Sequence, residues 1–199
     1  MTLPFPLILG SASPRRKKIL DALGFDFTVV IPDTEEIHDA TDPVHTVVVN
    51  ATTKYRTCRA THPEAAIITA DTLVWFNGDL IGKPNDLEEA ARFLRAFSGR
   101  TQVVYTGVAL GLPGQCAPDI RVEASSVTFK TLSEETIQRY LEKTKPLDRA
   151  GAYDIDENGD LLIATYSGSR TNIMGLPRAP VRDWLMKEAL YILNNRSRD

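Results

Sequence analysis

The sequence predicts an α/β protein with a mixed rather than a purely parallel sheet. Short apolar runs bounded by turn residues alternate with helical patterns in the first half of the chain. Two long strand patterns then follow one another with only a Pro/Gly-containing turn between them, which favours antiparallel pairing. The chain has 199 residues, of which 43% are hydrophobic, so we expect one folded domain spanning residues 1–199.

The first half is predicted to alternate strands and helices. Leu7 to Leu9 is a short apolar run that ends at Gly10, and Ser13-Pro14 then supplies an N-cap followed by a favoured first helical residue. The same pattern, an N-cap residue followed by proline, predicts the beginning of a second helix at Asp42-Pro43. The predicted elements are a strand at 7–9, a helix from Pro14 to about Gly24, a strand at 25–31, a loop at 33–43 and a helix reaching about Ala60.

The second half is predicted to be mostly strands. The apolar run Ala65–Ala70 is expected to end at Asp71-Thr72, and Asn77-Gly78 is typical of a hairpin turn. Asp86 and Ser133 are predicted helix caps. The remaining predicted elements are a hairpin over 73–81, helices to Phe97 and to about Lys143, strands at 102–112, 120–131 and 161–166, and a last helix at about 181–193.

Charge and composition exclude several functional classes. The net charge is −3, from 26 acidic residues against 23 Lys and Arg, which argues against nucleic-acid and anionic-membrane binding. The sequence contains no run of 18 apolar residues, so no transmembrane helix is predicted. The first ten residues do not resemble a secretory signal. The two cysteines, far apart, exclude a disulfide framework and fit a reducing compartment, so we expect a cytoplasmic protein.

The segment Gly10–Arg16, between the first predicted strand and helix, carries the strongest local sign of chemistry. Free N–H groups at a helix N-terminus favour an anion. The hydroxyls of Ser11 and Ser13 and the guanidiniums of Arg15 and Arg16 add the donors that a phosphate binds. The alternative is a plain helix cap with two solvated arginines.

A second basic position is Lys83, in the order G-x-x-x-G-K over 78–83. A phosphate-binding P-loop has four residues between its glycines and a Ser or Thr after the Lys, so a P-loop NTPase is excluded. Lys83 precedes Pro84 at a rigid turn and can still reach a phosphate. The alternative is a surface lysine.

Carboxylates provide candidate metal ligands. Asp71 follows a predicted strand, where ligands of open α/β sheets collect, and Asp33, Glu35 and Glu36 lie in a loop. Acids from separate segments can hold a hard divalent cation that bridges phosphates and helps to activate water. The alternative is that the loop acids are solvated and Asp71 caps a turn. The acidic segment 154–160 lacks the EF-hand spacing and is predicted to be a solvated turn.

Taken in order, the motifs of this chain resemble those of the Maf family of nucleotide pyrophosphatases. Each motif is weak alone, but together at this spacing they are highly specific, and they cover residues 7 to 193. The matching segments are Ser11–Arg16, Glu35-Glu36, Lys54, Ala70–Thr72, Gly82–Pro84, Ser98-Gly99, Thr106-Gly107, Ala150–Tyr153 and Gly175–Pro177.

This resemblance implies a fold and a reaction. The fold is an elongated mixed β-sheet with flanking helices and two lobes around a central cleft, shared with the inosine triphosphate pyrophosphatases. The reaction is hydrolysis of a nucleoside triphosphate to the monophosphate and pyrophosphate, with Mg²⁺ or Mn²⁺ as cofactor.

The family's motifs also imply roles for individual residues. Asp71 carries over as the proton acceptor that activates water, and Glu35 and Asp71 as the metal-binding acids. The implied phosphate-binding residues are Ser11, Ser13, Arg15, Arg16, Lys54 and Lys83.

Base specificity is implied at three positions. Arg15 and Thr72 match the branch of the family that acts on dTTP and UTP, whereas Asp156 stands where that branch carries Gln. A carboxylate accepts the N3–H of a pyrimidine but cannot donate to its carbonyl oxygens. We therefore expect pyrimidine triphosphates as substrates, with 7-methyl-GTP or another modified purine nucleotide as the alternative.

A function of another class also fits the resemblance, because the family is associated with inhibition of septum formation. The chain would then be a nucleotide-binding regulator of cell division. The presence of Asp71, Lys83 and the Ser11–Arg16 segment favours the enzyme, since binding alone requires no base. As partners we expect a nucleoside triphosphate and a second copy of the chain in a homodimer, but no nucleic acid and no membrane.

Overall fold

The computed structural model describes residues 3–196, with side chains described up to residue 188. Its centre is a seven-stranded sheet in the order β2-β1-β3-β5-β6-β7, with β4 paired to the far end of β3. The pairs of β1 with β2 and β3 are parallel, and the other pairs are antiparallel. The predicted α/β class with a mixed sheet and flanking helices is therefore confirmed.

The elements follow the predicted order. The strands are β1 (Leu7–Gly10), β2 (Thr28–Val30), β3 (Ala66–Phe76), β4 (Asp79–Ile81), β5 (Thr101–Gly111), β6 (Asp119–Phe129) and β7 (Ile163–Ser167). The helices are α1 (Pro14–Asp21), α2 (Pro43–Thr61), α3 (Leu87–Phe97), α4 (Glu134–Thr144), α5 (Arg170–Ile173) and α6 (Arg178–Arg196), with two 3₁₀ turns at Ala150–Ala152 and Gly159–Leu161. Within residues 3–196, no helix is both long and apolar enough to span a membrane.

The prediction that Asp71-Thr72 ends the third strand is wrong. Strand β3 continues without a break from Ala66 to Phe76, and Asp71 and Thr72 pair with Gly107 and Thr106 of β5 in the middle of the sheet. The two polar side chains do not terminate the strand because each finds polar partners on its own face of the sheet, as described below. Asp71 is therefore a mid-strand residue and not a strand-end residue.

Two hydrophobic cores lie along one face of the sheet, and a third cluster lies under α2 on the other face. The first packs α1 and α6 against β1 and the beginning of β3, with Leu9, Ile68 and Leu185 among its buried members. The second packs α3 and α4 against the end of β3 and the beginning of β5, with Phe97 and Tyr140 fully buried. Strands β3 and β5 have 11 residues each, long enough to extend from one core to the other.

Helix α2 covers the other face of the sheet, where Ala51, Tyr55 and Cys58 pack against strand residues. The backbone of the helix lies close to the sheet at Gly107, where a Cβ atom would lie 2.7 Å from the carbonyl oxygen of Val47. Only glycine at this position lets α2 lie directly on β5.

Candidate active site

A cavity of about 460 Å³ opens beside the middle of β3, within the size range of small-molecule sites. Its polar lining residues come from the loops after β1, β2 and β4, from α1 and α2, from the centre of β3 and from the segment before β7. Its apolar lining residues come from the strands and from the segments before and after β7. The apolar lining residues include Val74, Val104, Tyr153, Ile155, Ile173 and Met174.

The carboxylate of Asp71 lines this cavity and is only 7% exposed. Lys54 Nζ donates to Oδ1 at 2.8 Å, and Asn50 Nδ2 donates to Oδ2 at 3.0 Å. The Asn50 amide has a defined orientation because its Oδ1 accepts the N–H of Ile37 at 2.9 Å, which turns the NH₂ group toward Asp71. Lys54 also contacts Glu36 Oε1 at 2.5 Å. One ammonium group thus lies between two carboxylates.

The side chain of Arg16 is held by three groups of the protein. Nε donates to the carbonyl of Gly175 at 2.8 Å, Nη1 to Ser11 Oγ at 3.2 Å and Nη2 to Thr72 Oγ1 at 3.0 Å. Burial lowers the pKa of Arg16, and nearby Asp71 partly offsets that effect. An arginine stays protonated at neutral pH even so, which gives a fixed positive charge beside the carboxylate.

Arg15 is oriented toward a different group of acids. Its Nη1 lies 3.3 Å from Asp148 Oδ2 and 3.9 Å from Asp154 Oδ2. Arg149 contacts the same two carboxylates through Nε, at 3.5 and 3.3 Å, and pairs with Glu157 through Nη2. Although burial lowers the pKa of Arg149, these acids together raise it above its ordinary value.

The prediction that the acidic segment 154–160 is a solvated turn is wrong at its first residue. Asp154 is only 7% exposed, and its Oδ1 accepts the N–H groups of Asp156 and Glu157. Its backbone N–H donates to the hydroxyl of Tyr140. A buried charge must be paired. This carboxylate meets that requirement because it closes a turn and faces Arg149. Its polar sequence context does not reveal these partners.

The cavity brings together most of the residues predicted for the site. The predicted residues that line it are Ser11, Ser13, Arg15, Arg16, Lys54, Asp71, Thr72 and Lys83. Lys83 is exposed and forms no ion pair with any side chain that the structure describes, so its ammonium group is available. Ser13 caps α1 by accepting the N–H of Arg16 at 3.4 Å.

Two predicted residues lie outside the cavity lining, Glu35 and Asp156. Glu36 lines the cavity and contacts Lys54, whereas Glu35 does not line the cavity. Asp156 forms an ion pair with Arg170 at 2.6 Å and lies 3.6 Å from Lys18.

Sequence reasoning missed several polar residues in and around the site, and three of them differ in the signal that could have found them. Asn50 is four residues before Lys54 on α2, and this helical spacing is the signal that would have paired the two residues. Arg149 lies directly before a motif segment and lines the cavity. Thr106 was seen only as part of a motif, and its contact with Thr72 needs the register of β3 and β5.

A divalent cation fits the donor set only if the substrate completes its shell. In the part of the chain that the structure describes, no group of three or more His, Cys, Asp or Glu side chains is arranged for a metal. Asp71 and Glu36 provide two carboxylates around one ammonium group. Mg²⁺ is commonly bound by one or two carboxylates together with substrate phosphates, and this pair meets that requirement.

The fold and the cavity define an α/β protein with a charged, ligand-sized cleft beside a buried carboxylate. Residues 6–188 match the model of the Maf-like protein family, and the chain belongs to the Maf family. The identification made from the motifs is thus confirmed.

Relatives in this family are similar along most of their length. A dTTP/UTP pyrophosphatase of Akkermansia muciniphila is 40% identical over 180 residues, which cover 89% of this chain and 92% of the relative. A dTTP/UTP pyrophosphatase of Deinococcus radiodurans is 41% identical over 175 residues, covering 88% and 89%. A solved dITP/XTP pyrophosphatase of Mycobacterium abscessus has a TM-score of 0.40 and 16% identity over 66% of this chain and 76% of that one.

Proposed function

We propose that this protein is a nucleoside triphosphate pyrophosphatase that converts dTTP and UTP to the monophosphate and pyrophosphate. The observation that carries the proposal is a buried carboxylate, Asp71, in a cavity that is also lined by the cations Arg15, Arg16, Lys54 and Lys83 and the hydroxyls of Ser11 and Ser13. Relatives named dTTP/UTP pyrophosphatase, about 40% identical, support the reaction and the pyrimidine preference.

Asp71 is proposed as the general base. Its carboxylate has two fixed donors, Asn50 and Lys54, which hold its plane in one orientation. A water molecule placed between Asp71 and the triphosphate would lose its proton to this carboxylate as it attacks phosphorus. Such positioned proton transfer contributes about 10²- to 10⁴-fold to a rate.

The cations of the cavity are proposed to bind the triphosphate. Arg16 and Ser11 lie on one wall, and Lys83 reaches the same cavity from the turn after β4. Arg15, Ser13 and Lys54 complete the set. Phosphoryl transfer depends mostly on positioning and on neutralising charge, which fixed cations provide without a covalent intermediate.

A divalent cation is proposed as the cofactor, Mg²⁺ or Mn²⁺, with Asp71 and Glu36 as its protein ligands. When bound, it would neutralise phosphate charge and lower the pKa of a water ligand. Lys54, which contacts both carboxylates, would keep them close together before the substrate arrives. Asp71 keeps the metal role given to it by the motifs, and Glu36 replaces Glu35.

Pyrophosphate release by the purified protein, with Mg²⁺ or Mn²⁺ and each canonical triphosphate plus 7-methyl-GTP, tests the proposal. We expect dTTP and UTP to be the best substrates, with pyrophosphate and monophosphate as products. Release from 7-methyl-GTP alone would establish the modified-purine alternative. Nucleotide binding without release would favour a regulator of cell division.

Asp71→Asn tests the assigned base. We expect kcat to fall at least 100-fold while the nucleotide still binds, because an amide of the same shape accepts no proton from water. Asp21→Asn is the matched control, since Asp21 is an exposed acid whose ion pair among the described residues is with Lys17. A rate for Asp71→Asn near that of the unmodified protein would rule out the assignment.

The homodimer and the cytoplasmic location stay predictions. The mass of the purified protein in solution, measured by light scattering, tests the homodimer.

A further inference from the structure

One hydrogen-bonded chain of side chains runs from the cavity into the interior of the sheet. Arg16 Nη2 donates to Thr72 Oγ1 at 3.0 Å, and Thr72 Oγ1 lies 2.9 Å from Thr106 Oγ1. Thr106 Oγ1 in turn donates to the carbonyl of Asn172 at 3.1 Å. Thr106 is fully buried and does not line the cavity.

The last hydrogen bond of this series, from Thr106 to the carbonyl of Asn172, determines the direction of the others. A hydroxyl has one proton to donate. Because Thr106 gives its proton to the carbonyl of Asn172, the contact with Thr72 is satisfied when Thr72 donates to Thr106. The oxygen of Thr72 is then left with a lone pair for the guanidinium of Arg16. The competing acceptor for Thr72, the carbonyl of Gly175, is more distant at 3.3 Å and already accepts Arg16 Nε at 2.8 Å.

The anchor itself is rigid. Asn172 is 0% exposed, and its Nδ2 donates to the carbonyl of Val104 at 3.1 Å and to Ser125 Oγ at 2.9 Å. Ser125 Oγ also accepts the N–H of Ser169. The carbonyl that receives the proton of Thr106 is thus fixed to two strands of the sheet.

We propose that Thr106 is a positioning residue that orients the guanidinium of Arg16 through Thr72. The proposal rests on the proposed function, in which Arg16 binds the triphosphate. Thr106 itself touches no substrate. Without its hydroxyl, Thr72 can turn its proton toward Gly175 and no longer has a fixed orientation toward Arg16.

Thr106→Val removes the hydroxyl and keeps the shape of the side chain, and Thr106→Ser restores the hydroxyl. We expect Thr106→Val to weaken binding of inorganic tripolyphosphate about fivefold, the usual effect of one lost hydrogen bond, and to raise KM for dTTP more than it lowers kcat. Thr106→Ser should bind tripolyphosphate with nearly the original affinity. Equal affinities in all three proteins would overturn the proposal.

A double-mutant cycle with Arg16→Lys separates positioning from a general loss of packing. If Thr106 acts through Arg16, Thr106→Val should have little further effect on tripolyphosphate affinity in the Arg16→Lys background. The control is Thr69→Val, which removes a buried hydroxyl from β3. This hydroxyl donates to the carbonyl of Ala51. Its effect should be additive with Arg16→Lys. Additive behaviour of Thr106→Val would overturn the proposal.

Tripolyphosphate binding is measured by calorimetry without turnover. A protein that hydrolyses no nucleotide but shows the coupling between Thr106 and Arg16 would contradict the proposed function and support this inference. A protein that hydrolyses dTTP with no such coupling would support the proposed function and overturn this inference.

Discussion

At the scale of single residues, the site depends on polar groups whose partners leave them few alternative orientations. Asp71 has one donor on each carboxylate oxygen, and Arg16 uses all three of its nitrogens on the protein. Groups held in this way lose little conformational freedom when a ligand binds, which favours tight and specific binding. Lys83, exposed and without an ion pair among the described residues, is the contrasting case.

Asp156 illustrates how a neighbouring charge changes the expectation drawn from a sequence. Its carboxylate is engaged by Arg170 and lies outside the cavity lining. We therefore expect Asp156→Gln to leave the ratio of kcat/KM between dTTP and CTP within about twofold, because exposed ion pairs contribute little and no base contact is lost. Pyrophosphate release from both nucleotides measures this ratio.

Arg182→Gln, which breaks an exposed ion pair with Asp183, is the control for a general effect of surface charge. A gain for dTTP that appears in Asp156→Gln and not in this control would show that residue 156 reads the base.

At the scale of elements, helix α2 and strand β3 together position the proposed general base, Asp71. Asn50 and Lys54 are four residues apart, so they project from one face of the helix toward Asp71. The helix can lie this close to the sheet because Gly107, opposite Asp71 in the strand register, has no side chain. The glycine therefore matters to the site although it touches no ligand.

Gly107→Ala should displace α2 from β5. The added Cβ would lie 2.7 Å from the backbone oxygen of Val47, and a backbone atom cannot rotate away as a side chain can. We expect a loss of about 1–3 kcal/mol in the free energy of unfolding, as for other overpacked cores. Pyrophosphate release should fall as Asn50 and Lys54 move away from Asp71. Urea unfolding and turnover measure the two effects.

The control for stability is Gly82→Ala, where the added carbon meets no atom within 4 Å. Its free energy of unfolding should stay within about 0.5 kcal/mol of the original value. An equal change in both variants would contradict the role given to Gly107.

At the scale of the whole molecule, two hydrophobic cores share one long sheet, and the cavity lies beside the middle of β3.

The second core includes two buried tyrosines, Tyr140 and Tyr153. Burial raises the pKa of Tyr140 to about 12, although a hydrogen bond from the N–H of Asp154 partly offsets it. Burial also raises the pKa of Tyr153.

Stability should consequently fall at alkaline pH. The unfolded chain ionises its tyrosines near pH 10, whereas folded Tyr140 resists ionisation to about pH 12. Tyr140 therefore makes its full contribution to the free energy of unfolding below pH 10. This contribution, about 3 kcal/mol, is lost as the pH rises from 10 to 12. Chemical unfolding across this range measures the decline. Tyr140→Phe should make the decline less steep, with the contribution of Tyr153 remaining, and Tyr166→Phe, at an exposed site, should not. Parallel declines in all three proteins would contradict this account.

The sequence by itself determined the α/β class, the order of the elements and the family. These follow from local signals: turn residues, helix caps such as Ser13 and Asp86, apolar periodicity and motifs in a fixed order. It also provided eight of the residues that line the cavity, from the chemical types in the Ser11–Arg16 segment and from the resemblance to the family.

Only the tertiary structure decided which polar residues meet. Asp71 remains inside a strand, Asp154 is buried, and Glu36 rather than Glu35 faces Lys54. None of these outcomes follows from local sequence, since each depends on a partner distant in the chain. The physical reason is that burying a polar group is favourable only when another element brings its partner within hydrogen-bonding distance.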